Sequence, residues 1–138
     1  MLHINWTSAM ELGIPEIDRA HRMFLRELNR VLDTPDSDFP ERLDMLVAQI
    51  ERDFAEEGKL MEEIDFPAMQ SHVEQHARVL SGLHHTMSKV MSGDVATGRK
   101  AIELLFSWFQ VHVPTMDAAL AMAADAAATE RKTKKIAV

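Results

Sequence analysis

Several features are missing from this sequence, and each absence excludes a class of protein. The chain has no cysteine among its 138 residues. Disulfide frameworks, thiolate metal sites, iron–sulfur clusters and catalytic thiols are therefore excluded. No stretch approaches the roughly 20 consecutive apolar residues that span a bilayer. The five glycines are scattered, so no phosphate-binding glycine loop is present, and no G-x-S-x-G motif indicates a hydrolase.

The composition that remains is typical of a folded domain in water. Hydrophobic residues make up 46% of the chain and charged residues 27%, which argues against disorder. The formal net charge of −7 argues against a nucleic-acid partner, because such a partner requires a basic surface. The first ten residues lack the basic patch and apolar stretch of an export signal. We expect one cytoplasmic domain over residues 1–138, with neither a nucleic-acid nor a membrane partner.

Prolines and glycines divide the chain into four segments with helical hydrophobic periodicity. We predict helices over about 15–32, 40–64, 67–91 and 97–128, each with apolar residues at i, i+3, i+4 and i+7. Because the connections are short, neighbouring helices should pack antiparallel. The prediction is an all-α, up-down-up-down four-helix bundle. A non-helical arm (1–14) precedes the bundle, and a flexible tail (129–138) follows it.

Histidines and carboxylates interrupt the apolar stripe of every predicted helix. Burying such groups without partners costs several kcal/mol, and a metal ion such as iron, zinc or manganese is a natural partner for imidazole and carboxylate ligands. One histidine pair alone is more often a satisfied core or surface pair, but recurrence on four helices favours a metal site. The interrupting residues are His21 on the first helix, Asp53 and Glu57 on the second, His72 and His76 on the third, and His112 on the fourth.

This pattern resembles the hemerythrin family, in particular its single-domain bacterial members, from Trp6 to about Leu120. The matching motifs are Trp6, Gly13-Ile14-Pro15-Glu16-Ile17-Asp18 followed by His21, Asp53-Phe54-Ala55-Glu56-Glu57 followed by Met61, Pro67 followed by His72-Val73-Glu74-Gln75-His76, and Trp108-Phe109-Gln110-Val111-His112 followed by Asp117. The resemblance implies two iron ions, joined by an oxo or hydroxo bridge and by carboxylates, that bind O2 reversibly.

The resemblance also implies a role for each matching residue. One iron would be held by His72, His76 and His112, and the other by His21 and a residue of the second helix. Glu57 and Asp117 would be the bridging carboxylates. The ring of Trp108 and the side chains of four further residues are expected to shield bound O2 from water. These four are Phe24, Phe54, Phe109 and Val113.

Position 53 departs from the family motif, which has a histidine where this chain has Asp53. Asp53 itself could be a ligand, Glu56 could take its place, or the second metal could be weakly held or absent. A carboxylate in place of a neutral imidazole lowers the net charge of a buried site by one unit. This change favours ferric over ferrous iron, so an oxygenated form should autoxidise more readily.

His112 and Asp117 are five residues apart, which places them about 140° apart around an ideal helix. Both can reach one metal cluster only if the backbone deviates from a regular helix. Pro114 lies between them and removes a helical hydrogen-bond donor, so we predict a kink there. Without such a kink, Asp117 would be a surface residue.

Three functions follow from these observations. The first is reversible O2 binding at a non-haem di-iron centre, for storage, delivery or sensing. The second is a di-iron peroxidase, oxidase or NO-handling protein, because Asp53 alters the iron that receives a diatomic ligand. The third is a metal-depleted helical module that binds another protein. The sequence identifies no protein partner and no oligomeric state.

Overall fold

The computed structural model describes residues 4–137 and confirms an all-α four-helix bundle. A short 3₁₀ turn (Ser8–Met10) precedes the first helix. The helices are α1 (Pro15–Asp33), α2 (Phe39–Glu63), α3 (Met69–Met91), α4 (Val95–His112) and α5 (Ala118–Ala137), and a π-helical turn (Val113–Asp117) joins α4 to α5. Within the described range no residue is in a β-strand. None of the described helices is long and apolar enough to cross a membrane.

The helices form a closed ring of neighbours. Each of α1, α2 and α3 contacts the next helix along the chain, and α1 also contacts α4. The apolar stripes face inward, and the core is lined by fully buried residues from each helix of the ring, such as Leu28, Leu46, Val90 and Ile102. A smaller apolar cluster of Met61, Phe66 and Leu120 lies between α2, α5 and the loop before α3.

The N-terminal arm is held against the bundle by side-chain hydrogen bonds. The Ile4 N–H donates to Oδ1 of Asn29, and Nδ2 of Asn29 donates to the Ile4 carbonyl, both at 2.8 Å. Asp18 is buried and accepts hydrogen bonds from the Leu12 and Gly13 N–H groups at 2.8 and 3.0 Å. Gly13 has φ +82°, which favours glycine where the arm turns into α1. The arm is thereby fixed across the start of α1.

The last helix is longer than its predicted end near Ala128. It continues to Ala137, although the side chains of residues 128–136 are exposed. Alanine, lysine, arginine and glutamate dominate this stretch, and all four have high intrinsic helix propensity. The backbone of 129–137 is therefore helical, and its flexibility stays a prediction.

Gly98 lies where α4 packs closely against two other helices. An added Cβ would be 2.5 Å from Cε1 of Phe39 and 2.6 Å from Cγ2 of Val90, and both of these side chains are buried. We expect Gly98→Ala to lower the free energy of unfolding by about 1–3 kcal/mol through overpacking. Urea denaturation of the purified variant measures this change.

The matched control is Gly82→Ala in α3, where nothing lies within 4 Å of the new Cβ. This substitution should raise the free energy of unfolding by up to about 1 kcal/mol through helix propensity. Equal effects of the two substitutions would contradict the close packing at Gly98.

Candidate metal centre

Five polar side chains converge in the middle of the bundle. One potential ligand atom from each lies within 4.8 Å of the others. They are Glu57 from α2, His72 and His76 from α3, His112 at the end of α4, and Asp117 at the end of the π-helical turn. The three histidines and Asp117 are buried. The structure thus brings together five of the seven residues that the sequence predicted as metal ligands.

The separations between these atoms match those of ligands around a single ion. Nε2 of His72 is 3.2 Å from Oε1 of Glu57 and 3.1 Å from Oδ1 of Asp117. Nε2 of His112 is also 3.1 Å from Oδ1 of Asp117 and 3.3 Å from Nε2 of His76. Ligand atoms about 2.1 Å from an ion and at right angles to each other lie about 3 Å apart.

Several of the same atoms have no hydrogen-bond partner although they are buried. They include Nε2 of His72, Oε1 of Glu57 and Oδ1 of Asp117. These atoms are close together, but the angles between them are not those of hydrogen bonds. Unsatisfied buried polar atoms cost free energy, and a shared cation would satisfy all of them at once. The residues therefore fit a metal ion.

The π-helical turn explains how Asp117 reaches the cluster. Its hydrogen bonds span five residues instead of four, so side chains five residues apart come onto nearly the same face. His112 precedes the turn and Asp117 ends it. The sequence predicted a deviation at Pro114, and the structure has this deviation as a π-helical turn with Pro114 in its first positions.

His21 from α1 joins the group through Asp117. Its Nε2 is 3.0 Å from Oδ2 of Asp117, whereas Oδ1 of the same carboxylate faces His72 and His112. The two oxygens of Asp117 are therefore turned toward different histidines.

Asp53 lies beside a cavity of about 170 Å³ that His21, Glu57 and Asp117 also line. Its side chain is half-buried, and it does not belong to the five-residue ligand group. Burial and the nearby Glu56 raise the pKa of Asp53 to about 6. Glu56 is more exposed but lines the same cavity, so a role for either carboxylate stays a prediction.

Aromatic rings surround the histidines. Phe54 stacks on His76 with ring centroids 3.7 Å apart, and Trp108 stacks on His112 at 4.2 Å. Phe24 and Phe109 stack on each other at 4.7 Å. The rings of Phe24, Phe54, Trp108 and Phe109 line the cavity beside Asp53. Val113, the fifth residue predicted for the O2 pocket, is fully buried and is not in the lining of this cavity.

Comparisons with known proteins agree with this geometry. The family model for the hemerythrin HHE cation binding domain matches residues 12–124. The chain belongs to the hemerythrin family. A bacteriohemerythrin from Ralstonia nicotianae is 38% identical to this hemerythrin over 114 residues, which are 83% of each chain. No solved structure matches significantly. Family membership and the ligand cluster together support a non-haem iron protein.

The protonation of the candidate ligand residues is set by burial and by their neighbours. Burial raises the pKa of Glu57 to about 7 despite the opposing effect of His72. Burial also disfavours the charged form of His72, but contacts with Asp117 and Glu57 outweigh it and raise its pKa to about 9. Burial and the charges of His72 and His112 lower the pKa of His76 to about 3.

The pKa of Asp117 is lowered, in contrast to that of Glu57, although both residues are affected by burial. Burial would raise the pKa of this carboxyl, but contacts with the imidazoles of His112, His21 and His72 hold the pKa well below its usual range. The centre of the metal-free protein therefore combines an ionised aspartate with a protonated His72 at neutral pH. A cation bound by Nε2 of His72 would have to replace that proton.

We expect metal affinity to rise with pH. Between pH 7 and 9 the metal must displace one proton from His72, whose pKa is about 9. Displacement of one proton raises the apparent affinity about tenfold per pH unit. The affinity should level off above pH 9 and fall more steeply below pH 7, where Glu57 also becomes protonated. Competition between the protein and a chelator for Zn(II) at pH 7, 8 and 9 measures the slope.

A variant lacking the exposed His84 controls for surface binding, since this side chain contacts only Glu51 among the described ion pairs. His84→Ala should keep the wild-type slope. A flat pH profile in the wild-type protein would show that His72 carries no proton that the metal displaces.

Sequence reasoning missed one residue that contacts the cluster. Oε1 of Gln75 is 3.1 Å from Nδ1 of His112. Gln75 follows His72 by three residues, and residues three apart share a helix face. This spacing was the available signal, but it does not tell which neighbouring helix the side chain meets.

Proposed function

We propose that this hemerythrin binds O2 reversibly at a pair of iron ions. The two-sided position of Asp117 carries the proposal, because its Oδ1 faces His72 and His112 while its Oδ2 faces His21. His72, His76 and His112 would hold one ion. His21 and Asp53 would hold the other, and Glu57 and Asp117 would lie between the two ions.

Iron supplies the reversible binding of O2, and the protein controls access to it. Phe24, Phe54, Trp108 and Phe109 give the cavity beside His21 an aromatic lining. Its volume of about 170 Å³ admits a diatomic molecule. A mostly apolar lining limits the access of water to the site. Storage, delivery and sensing of O2 all require a site from which water is largely excluded. A cytoplasmic location is also part of the proposal.

Reconstitution with Fe(II) under nitrogen tests the proposal. We expect two iron ions per chain by metal analysis, a visible absorption band on admission of O2, and loss of the band when O2 is removed. Several cycles without loss of amplitude would support reversible binding. A protein that holds no iron, or only one ion per chain, would contradict it.

A second candidate function is a di-iron peroxidase or oxidase. Asp53 favours it, because this carboxylate lines the cavity together with Glu16 and Glu56, and carboxylate ligands favour ferric iron. In that case the absorption band would decay irreversibly after one exposure to O2, and the iron-loaded protein would consume hydrogen peroxide in the presence of a reductant. The same reconstitution experiment therefore separates the two functions.

A further inference from the structure

Gln75 lies on α3 between His72 and His76 and reaches across to α4. Its Oε1 is 3.1 Å from Nδ1 of His112. The side chain is half-buried and lines a groove between α3 and α4, which the buried His112 also lines. The contact therefore joins two helices on the side of His112 that faces away from the ligand cluster.

This contact favours the tautomer of His112 that carries its proton on Nδ1. An amide oxygen can only accept a hydrogen bond, so Nδ1 must donate. When the ring is neutral, Nε2 then carries the lone pair; when Nε2 is protonated as well, that proton faces Oδ1 of Asp117 and helps to keep the pKa of Asp117 low. Since Nε2 is 3.1 Å from Oδ1 of Asp117 and 3.3 Å from Nε2 of His76, the lone pair is directed at the other ligand atoms.

Without Gln75, the population of the opposite tautomer of His112, with its proton on Nε2, would increase. A proton on Nε2 would lie toward the Asp117 carboxylate, whose Oδ1 is 3.1 Å from Nε2, and a metal would then have to displace that proton. No comparable partner holds His21 or His72, because the Nδ1 atoms of both are buried and without a hydrogen-bond partner. Among these three histidines, His112 is the one whose tautomer is fixed by an outer contact.

The orientation of the His112 ring is restrained from two directions. The indole of Trp108 stacks on it with ring centroids 4.2 Å apart and planes inclined by 21°, which limits tilting of the ring. The hydrogen bond to Gln75 limits its rotation within the plane. The ring is therefore oriented before any metal binds.

We propose that Gln75 is a positioning residue for metal binding, which holds His112 as the Nδ1–H tautomer with Nε2 directed at the metal. The proposal rests on the role of His112 as an iron ligand in the proposed function. Gln75 acts through His112 and does not touch the metal. Such hydrogen bonds orient metal-bound imidazoles and increase their basicity, and their loss weakens metal binding about 10- to 100-fold.

Zn(II) affinity of the full-length protein, measured by competition with a chromophoric chelator, is the first test. Gln75→Leu should weaken binding about 10- to 100-fold. Gln75→Glu should retain wild-type affinity, because an ionised carboxylate also accepts a hydrogen bond from Nδ1 and cannot donate one. The control is Gln110→Leu on the exposed side of α4, which should leave the affinity unchanged. Equal losses in the Leu and Glu variants would overturn the proposal.

Nitrogen-15 NMR of the histidine rings in the metal-free protein is the second test. The wild-type protein should show His112 protonated at Nδ1, and Gln75→Leu should shift the proton toward Nε2. An unchanged tautomer would overturn the proposal. This readout requires neither iron nor O2, so its failure is distinct from a failure of the proposed function. Should circular dichroism show that Gln75→Leu is unfolded, Gln75→Asn, whose shorter side chain cannot reach His112, takes its place with the same expectations.

Discussion

Replacement of His72 by alanine should abolish iron binding. His72 is fully buried, and its Nε2 lies between Oε1 of Glu57 and Oδ1 of Asp117 at 3.2 and 3.1 Å. Loss of an outer hydrogen-bond partner already weakens metal binding about 10- to 100-fold, so loss of a ligand should cost more than about 100-fold. Metal analysis after reconstitution and desalting measures the retained iron.

The same substitution should also destabilise the metal-free protein. His72 is protonated below a pKa of about 9 and faces the Glu57 and Asp117 carboxylates. Removing one partner from such a buried group of charges costs about 3–5 kcal/mol. The elevated pKa stabilises the fold below the ordinary histidine value of 6.5, and this contribution is lost as the pH rises through 9. The stability difference between wild type and His72→Ala should therefore shrink at high pH.

His84→Ala is the matched control, since it removes a histidine from the same helix at an exposed position. It should retain full iron content and nearly wild-type stability. Iron retention by His72→Ala, or equal iron loss in both variants, would contradict a metal centre at the buried cluster.

Asp53→His should lengthen the lifetime of the oxygenated protein by about tenfold or more. The substitution replaces a carboxylate beside the cavity with a neutral imidazole and so removes one negative charge from the site. Unit charges a few ångströms apart interact by up to about 4 kcal/mol near a protein surface, and about a third of this is a tenfold change in rate. The decay of the visible absorption band in air-saturated buffer measures the lifetime.

Glu56→Gln distinguishes the two carboxylates that line this side of the cavity. If Asp53 is the residue that acts on the second iron, Glu56→Gln should leave the lifetime close to that of the wild-type protein. A shorter lifetime in Asp53→His would refute the charge argument. A lengthened lifetime in Glu56→Gln alone would assign the role to Glu56.

Much of the fold was predictable because helices are determined by local pattern. The apolar periodicity located four helices, and the start of α1 at Pro15 and the end of α3 at Met91 are confirmed. The second and fourth helices begin one or two residues before their predicted starts at Pro40 and Thr97. The extension of α5 beyond Ala128 was missed, although helix propensity is high there.

The composition of the metal centre could also be inferred from the sequence. A histidine or carboxylate on an apolar helix face can be recognised from the sequence alone, because helical periodicity decides which residues face inward. His21, His72, His76 and His112 were identified in this way, and the structure buries all four. Glu57 was identified by the same pattern and lies within the ligand group.

Only the tertiary structure decided how these groups face one another. The π-helical turn that brings Asp117 to the cluster depends on hydrogen bonds that a kink prediction does not specify. Gln75 meets His112 only because α3 packs beside α4 at one particular register. The sequence by itself determined which side chains point inward, since this follows from 3.6 residues per turn. Which nitrogen or oxygen meets which depends on distances between helices, and these are set when the bundle packs.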